Sequence, residues 1–417
     1  MLKSPWHWVP SLFAAEEIPA SIVTYVAVLM FLQTDTPPAM ATCYCGLLFL
    51  PWVLKSFLRS YVRRLGYFRR QLQWLELAIV GFLMLLAFSF VGGPFFIFLS
   101  LFLLSFLTAW HELAARMYYE RMLWPRQQYY FNLPKMLASQ SAVVLTYGVL
   151  IMLVGALQVI HRRIAHSWTE GCYLMAGVFL MFALYHVFVL RRPGVADTRQ
   201  RGTALDAVRD EIRIIDRIRR KPHWLLVVVA LFLLLLPQGL MFFSRVLFLL
   251  TPKSAGGLGC TIQEVGFAQG TIGVVAFSLG LFLGRQLLHL SRGHSAHLLW
   301  YYIIPLGLSP VVYVLMVIEP PSSLMQLCVA TFQAQLFFGF GLNGTIHFVR
   351  YISGERYRNT INYLYIPLVA SVMLPGMAIS GWLVGEMGFF HFFIVDALTA
   401  PVAWTFVSLA RLTKITI

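Results

Sequence analysis

Charge is scarce in this chain of 417 residues: Asp, Glu, Lys and Arg make up 12% of it, where a soluble domain carries about a quarter. Acidic residues are the rarer sign, 17 against 32 Lys and Arg. So little polar surface excludes a water-soluble globular enzyme, whose core has to be covered by polar side chains. Cysteine is also rare. The five (Cys43, Cys45, Cys172, Cys260, Cys328) are scattered, their odd number leaves at least one unpaired, and all but Cys260 fall in apolar stretches. Neither a disulfide framework nor zinc-type spacing is supported, and Cys43 and Cys45 read as small packing residues. No nucleophile triad, carboxylate pair in a soluble cleft, metal box or Gly-Lys-Ser/Thr phosphate loop stands out, so no enzyme activity, metal or bound cofactor is expected. The opening MLKSPWHWVP lacks a short apolar run followed by a small-residue cleavage site, so no removable signal peptide is expected.

What fills the chain instead is hydrocarbon: 59% of its residues are apolar or aromatic. Apolar runs of about 20 residues recur from end to end, each long enough to cross about 30 Å of bilayer at about 1.5 Å per residue. Hydropathy places spans at 11–33, 39–58, 71–91, 94–118, 133–158 and 168–190, then at 224–249, 265–288, 298–318, 323–348, 362–384 and 389–410. The expectation is an all-α polytopic membrane protein with twelve spans. A six-helix bundle takes residues 1–190, a basic cytoplasmic linker 191–222, and a second six-helix bundle 223–417.

The basic residues test that count. With the N-terminus inside, 28 of the 32 Lys and Arg residues fall on the cytoplasmic side, and only Arg162, Arg163 and Lys253 on the other, while Arg245 lies within a span. One missed span would scramble the bias, so both termini are expected in the cytoplasm. The same distribution explains the net charge of +15 as topology signals facing an anionic leaflet, with the lipid bilayer as partner and no nucleic acid. Between Thr203 and Lys221, Leu205, Val208, Ile212, Ile215 and Ile218 recur at helical spacing among charges, which predicts an amphipathic surface helix, with Thr203 and Asp206 at its start.

Two halves joined by such a segment suggest structural repeats. Their first spans are expected to be interrupted at matching places, by Glu16-Glu17-Ile18-Pro19 and by Pro237-Gln238-Gly239, the pattern that points to a central binding cavity between the bundles. Gly266, Gly270, Gly273, Gly280 and Gly284 recur at steps of three, four and seven along the eighth span and predict a close-packing seam able to slide.

Six plus six helices, both ends inside and a charged central loop resemble the major facilitator superfamily. SLFAAEEIP, LPWVLKSF, AWHELAARMYY, SAGGLGCTIQEVGFAQGTIGVVAFSLG, FGFG and MLPGMAISGWL resemble its AmpG-like muropeptide permease branch, most specifically over 251–284 and 374–392. The resemblance implies a monomeric inner-membrane permease that takes up a small-molecule solute, a muropeptide or related amino sugar, with the proton gradient in place of a cofactor. The sequence departs from that pattern at the gating positions. Arg63, beside Arg64, stands where the signature after the second span has an acidic residue, Arg116 stands at a second acidic position, and Pro134 and Lys135 fall where an Arg is expected.

A charge inside hydrocarbon costs about 2.5–3.5 kcal/mol on insertion scales, so each such residue is a candidate. Glu16, Lys55 and Glu112 match the family's acidic, basic and acidic positions, and together with Glu17 they are the candidates for proton coupling. The alternatives are a static pair between Lys55 and Glu16 or Glu17, and an i, i+4 pair between Glu112 and Arg116. Arg245 has the planar donors to hold a carboxylate, or else pairs at the rim with Asp396 or Glu264. Gln238, Gln269, Gln335 and Asn343 offer amides to a sugar or peptide, or serve as interhelical glue. His186 and His347 read either as groups titrating near neutrality or as interfacial residues. Three functions stay open: muropeptide import, a permease for another small polar or amphiphilic solute, and a transport-inactive relative serving as sensor or assembly partner.

Overall fold

The computed structural model describes residues 4–191, 209, 212, 213, 215, 216, 219–290, 295–353 and 358–411. The described residues form helices joined by loops and turns, with no strand among them. In chain order the helices are α1 (Pro5–Gln33), α2 (Pro38–Val53), α3 (Lys55–Leu65), α4 (Phe68–Gly92), α5 (Pro94–Met122), the short α6 (Pro125–Tyr130), α7 (Asn132–His161) and α8 (Ile164–Val189). After the linker come α9 (Trp224–Leu250), α10 (Ile262–Leu287), α11 (Ser295–Ile318), α12 (Leu324–Ser353) and α13 (Arg358–Leu409). Among the described residues, ten helices are long and apolar enough to cross a membrane, and α2 with α3, bent by 44°, makes an eleventh if the pair is one span. The chain is a multi-pass membrane protein.

Two compact units emerge: residues 1–36 with 48–212, and residues 37–47 with 213–417. In the first, α4 packs between α5 and α8, and α1 lies against α7. Both α1 and α7 widen into a π-turn, at Ile22–Val26 and Val144–Leu150, and these turns meet, with the rings of Tyr25 and Tyr147 stacked 5.2 Å apart and Ser21 hydrogen-bonded to Thr146. In the second, α9 packs on α13 while α12 sits between α10 and α11. The first part of α2, Pro38–Leu47, belongs to this unit: Thr42 Oγ1 donates to Ala378 O (3.3 Å) and accepts from the Gly381 amide (3.1 Å). Most of the linker, including Thr203, Leu205, Asp206, Val208 and Ile218, lies outside the described residues; Ile212 and Ile215 are helical and exposed.

The expected interruptions of the first and seventh spans are not formed. Helix α1 continues through Pro19 and widens only afterwards, and α9 continues through Pro237. Transmembrane helices tolerate proline because neighbouring groups re-satisfy the freed carbonyl. The Pro-Gln-Gly string marks a helix crossing instead: a Cβ on Gly239 would stand 2.4 Å from the Met373 carbonyl oxygen of α13.

The glycine seam of the eighth span is real in its second half. A Cβ on Gly280 would lie 2.4 Å from Leu336 O, and one on Gly339 of α12 would lie 2.2 Å from Phe277 O, so the two backbones touch through glycine on both sides. Backbone cannot yield as a side-chain tip can. Gly339→Ala is therefore expected to push α10 from α12 and cost about 1–3 kcal/mol or more in detergent unfolding. Gly177→Ala, where a Cβ meets nothing within 4 Å, should leave the unfolding temperature unchanged. Equal stability of the two variants would mean that the seam bears no load.

Candidate functional site

Five of the charged residues singled out from sequence come together in the first unit. The second span breaks at Leu54, and α3 opens on Lys55, which is 4% exposed. Its ammonium donates to Glu112 Oε2 on α5, and Trp52 Nε1, just before the break, donates to Glu112 Oε1 at 2.9 Å. Lys55 thus pairs with Glu112, and not with Glu16 or Glu17 as the static alternative had it. Those two carboxylates of α1, together with Arg116 one turn beyond Glu112, still act on Lys55 electrostatically. Glu16 Oε2 is buried with no hydrogen-bond partner. Arg63 and Arg64 end α3, where cations complement the helix dipole, Arg63 exposed and Arg64 half-buried.

In the second unit, Arg245 of α9 is 7% exposed, and its guanidinium lies over the Phe242 ring at 5.1 Å. Neither alternative partner, Asp396 or Glu264, is paired with it. Glu264 caps its own helix, accepting from the amide (2.8 Å) and hydroxyl (2.9 Å) of Thr261. Asp396 has both oxygens buried without any partner, and Arg245 Nε is likewise unpartnered. In the same unit, Gln335 donates to Gln269 (3.3 Å) and Gln269 to the hydroxyl of Tyr313 (3.2 Å), a chain of three buried polar groups whose last member feels the Arg245 charge. Gln238 and Asn343 are elsewhere. Gln238 donates to Leu306 O (2.9 Å), and Asn343 to the Gly339 and Phe340 carbonyls (3.2 Å each), so both bond backbone. The His347 side chain lies outside the described residues.

The sequence reading missed one group. Glu76 on α4, His111 on α5 and His186 on α8 are each fully buried and share one carboxylate oxygen: Glu76 Oε1 lies 2.6 Å from His186 Nδ1 and 3.4 Å from His111 Nε2. His186 is a core residue here, against the interfacial alternative. The signal was present in Glu76, a lone carboxylate in the first part of the third apolar run, and in His111, next to Glu112. A second His/Glu set joins α7 to α8, where Glu170 accepts from His161 (3.1 Å) and His166 (3.0 Å), with donor atoms within 4.8 Å of one another. Each oxygen of Glu170 already has an imidazole partner, so the group is satisfied without an ion.

The architecture has known counterparts. Over 99% of this chain and 98% of its own, at 14% identity and TM-score 0.71, the backbone follows a bacterial homologue of the human lysosomal transporter Spinster, crystallised inward-facing and unoccupied. The nucleoside transporter NupG aligns over 97% of this chain and 99% of its own, with 13% identity and TM-score 0.66. A POT family transporter in complex with 5-aminolevulinic acid aligns over 98% and 96%, with 11% identity and TM-score 0.72. The fold is the one these transporters share. The sequence matches no family profile. No curated protein matches it either.

Proposed function

We propose that this chain is a secondary active transporter that imports a peptidoglycan fragment, of muropeptide or amino-sugar type, together with protons. It works by alternating access as a monomer in the cytoplasmic membrane, with both termini inside. The reading takes α2 and α3 as one span and divides α13 at Gly388, whose φ of 71° interrupts the helix. The apolar stretch Tyr365–Leu409 would reach about 68 Å at about 1.5 Å per residue, more than twice a bilayer core, so two spans there and twelve in all follow. The 28 to 3 distribution of basic residues sets the orientation.

The observation that carries the reading is Arg245: a buried guanidinium without an acid partner among the described residues, whose charge reaches Tyr313 at the end of the hydrogen-bonded chain from Gln335 and Gln269, in a chain of transporter fold. Such a site suits a solute that brings its own carboxylate and hydrogen-bonding groups, as the peptide stem or lactyl group of a muropeptide does. Gln238 and Asn343 serve packing. Glu16 and Glu17 remain the carboxylates of α1 best placed to exchange a proton near Lys55, with the Lys55–Glu112 pair holding the broken second span. A permease for another carboxylate-bearing solute of similar size is the second reading, and the same Arg245 site favours it.

Uptake of labelled anhydromuropeptide into proteoliposomes, with and without an imposed pH gradient, tests this. Saturable uptake that is faster with an acidic exterior is expected. In Glu16→Gln uptake under the gradient should fall to the rate seen without one. Flux indifferent to the gradient removes proton symport. No muropeptide flux, with flux of other carboxylate solutes, moves the assignment to the second reading. No flux of any solute leaves the transport-inactive relative, for which Arg63 and Arg116 at normally acidic positions are the motive.

A further inference from the structure

The group Glu76, His111, His186 and Ser11 takes no part in the solute site just described, yet it joins four helices of the first unit. We propose that it is a proton-binding site, and that its loading accompanies each transport cycle; the second clause rests on the transport reading above.

The geometry carries the proposal. His186 is held at both nitrogens, by Glu76 Oε1 on Nδ1 (2.6 Å) and by Ser11 Oγ on Nε2 (3.1 Å). Nδ1 donates to the carboxylate in either protonation state. Nε2 has to accept when the ring is neutral and donate when it is charged, and Ser11 can meet both demands. In the neutral state the Ser11 hydroxyl donates to Nε2. When a proton adds to Nε2, a new N–H bond forms and donates to Ser11 Oγ, and the hydroxyl hydrogen turns to the Trp8 carbonyl oxygen, 3.2 Å away. No heavy atom has to move, and no donor or acceptor is left unmet by the exchange.

Charge favours the uptake. With both imidazoles neutral, a carboxylate with no exposed surface carries a net charge of minus one in the bundle core; one added proton brings the group to zero. The groups facing Glu76 are known from each neighbouring helix: His111 from α5, His186 from α8, and from α1 the hydroxyl of Ser11 through His186. Two buried atoms keep an open position, Glu76 Oε2 and His111 Nδ1, so the group is not a saturated structural network. The connection to the rest of the unit runs through α5. His111 and Glu112 are consecutive, so they point about 100° apart, one into this group and the other to Lys55 and Trp52 at the break of the second span. A change of charge on one side of α5 therefore acts on a helix that also holds the hinge.

The test uses the full chain in lipid nanodiscs with 15N-labelled histidine side chains, the His111 and His186 signals being assigned by His111→Asn and His186→Asn. In the parent, His186 should take up a proton reversibly as pH falls. Glu76→Gln, which keeps size and shape, should weaken that proton binding about tenfold or more, and Ser11→Ala should weaken it in the same direction with the carboxylate intact. If Glu76→Gln fails to fold, Ser11→Ala decides. Identical His186 titrations in parent and variants overturn the proton site. In proteoliposomes Glu76→Gln should lose the gradient response of uptake; a response equal to the parent's overturns the coupling clause while leaving the transport reading intact. Absence of flux from every protein, with the titration shift present, removes the transport reading and supports the proton site.

Discussion

Lys55→Met is expected to lower stability by about 3–5 kcal/mol and to abolish gradient-driven uptake. The charge removed is the one that matches Glu112, and a carboxylate left charged and unmatched in a buried site loses far more than the net worth of the pair. The double variant Lys55→Met/Glu112→Gln separates the two effects. Its amide oxygen still accepts from Trp52 Nε1, so that buried donor keeps its partner, and neutrality returns to the site. Most of the stability should come back. Transport should not, because the start of α3 has lost the charge pair that ties it to α5. Arg116 is the competing outcome: one turn beyond Glu112, it is placed to capture the freed carboxylate. A single variant as stable as the parent would establish that capture and defeat the assignment of Lys55 as the holding charge.

Arg245→Gln has the opposite signature. Because Arg245 has no acid partner among the described residues, its removal leaves no unmatched charge behind there, and the unfolding temperature should stay the same or rise. The cost falls on the solute. A charge-assisted hydrogen bond is worth about 1.5–3 kcal/mol, so KM for a carboxylate-bearing solute should rise roughly 10- to 150-fold, with the amount of protein in the membrane unchanged. Arg245→Lys keeps the charge but loses the planar fork, and should fall between parent and Gln variant. Esterifying the solute carboxylate should erase the difference between parent and Gln variant. Measured KM values that do not separate the three proteins would leave Arg245 as a packing residue over Phe242.

The helices were legible because hydropathy is a local sum. The runs at 71–91, 94–118 and 133–158 fall inside Phe68–Gly92, Pro94–Met122 and Asn132–His161, and no tertiary information is needed to place an apolar segment in lipid. The two proline strings misled for the same reason. A proline is a local break signal, but its effect in α1 and α9 is decided by the neighbouring helices that satisfy the freed groups. Glu76 was overlooked because one carboxylate barely changes the mean of a long apolar window, although its burial is what makes it informative.

The charged residues divide along a similar line. Composition and periodicity alone established a membrane chain, its apolar segments, the bias of its basic loops, and a short set of ionisable residues that had to be explained. They did not establish who meets whom. That Lys55 takes Glu112 over Glu16, that Arg245 and Asp396 each stand apart, and that Glu76 gathers His111 and His186 from two other helices was decided by tertiary structure. Burial in lipid depends on the residues within one segment, whereas a partner many residues away depends on how each helix is rotated and at what height it packs.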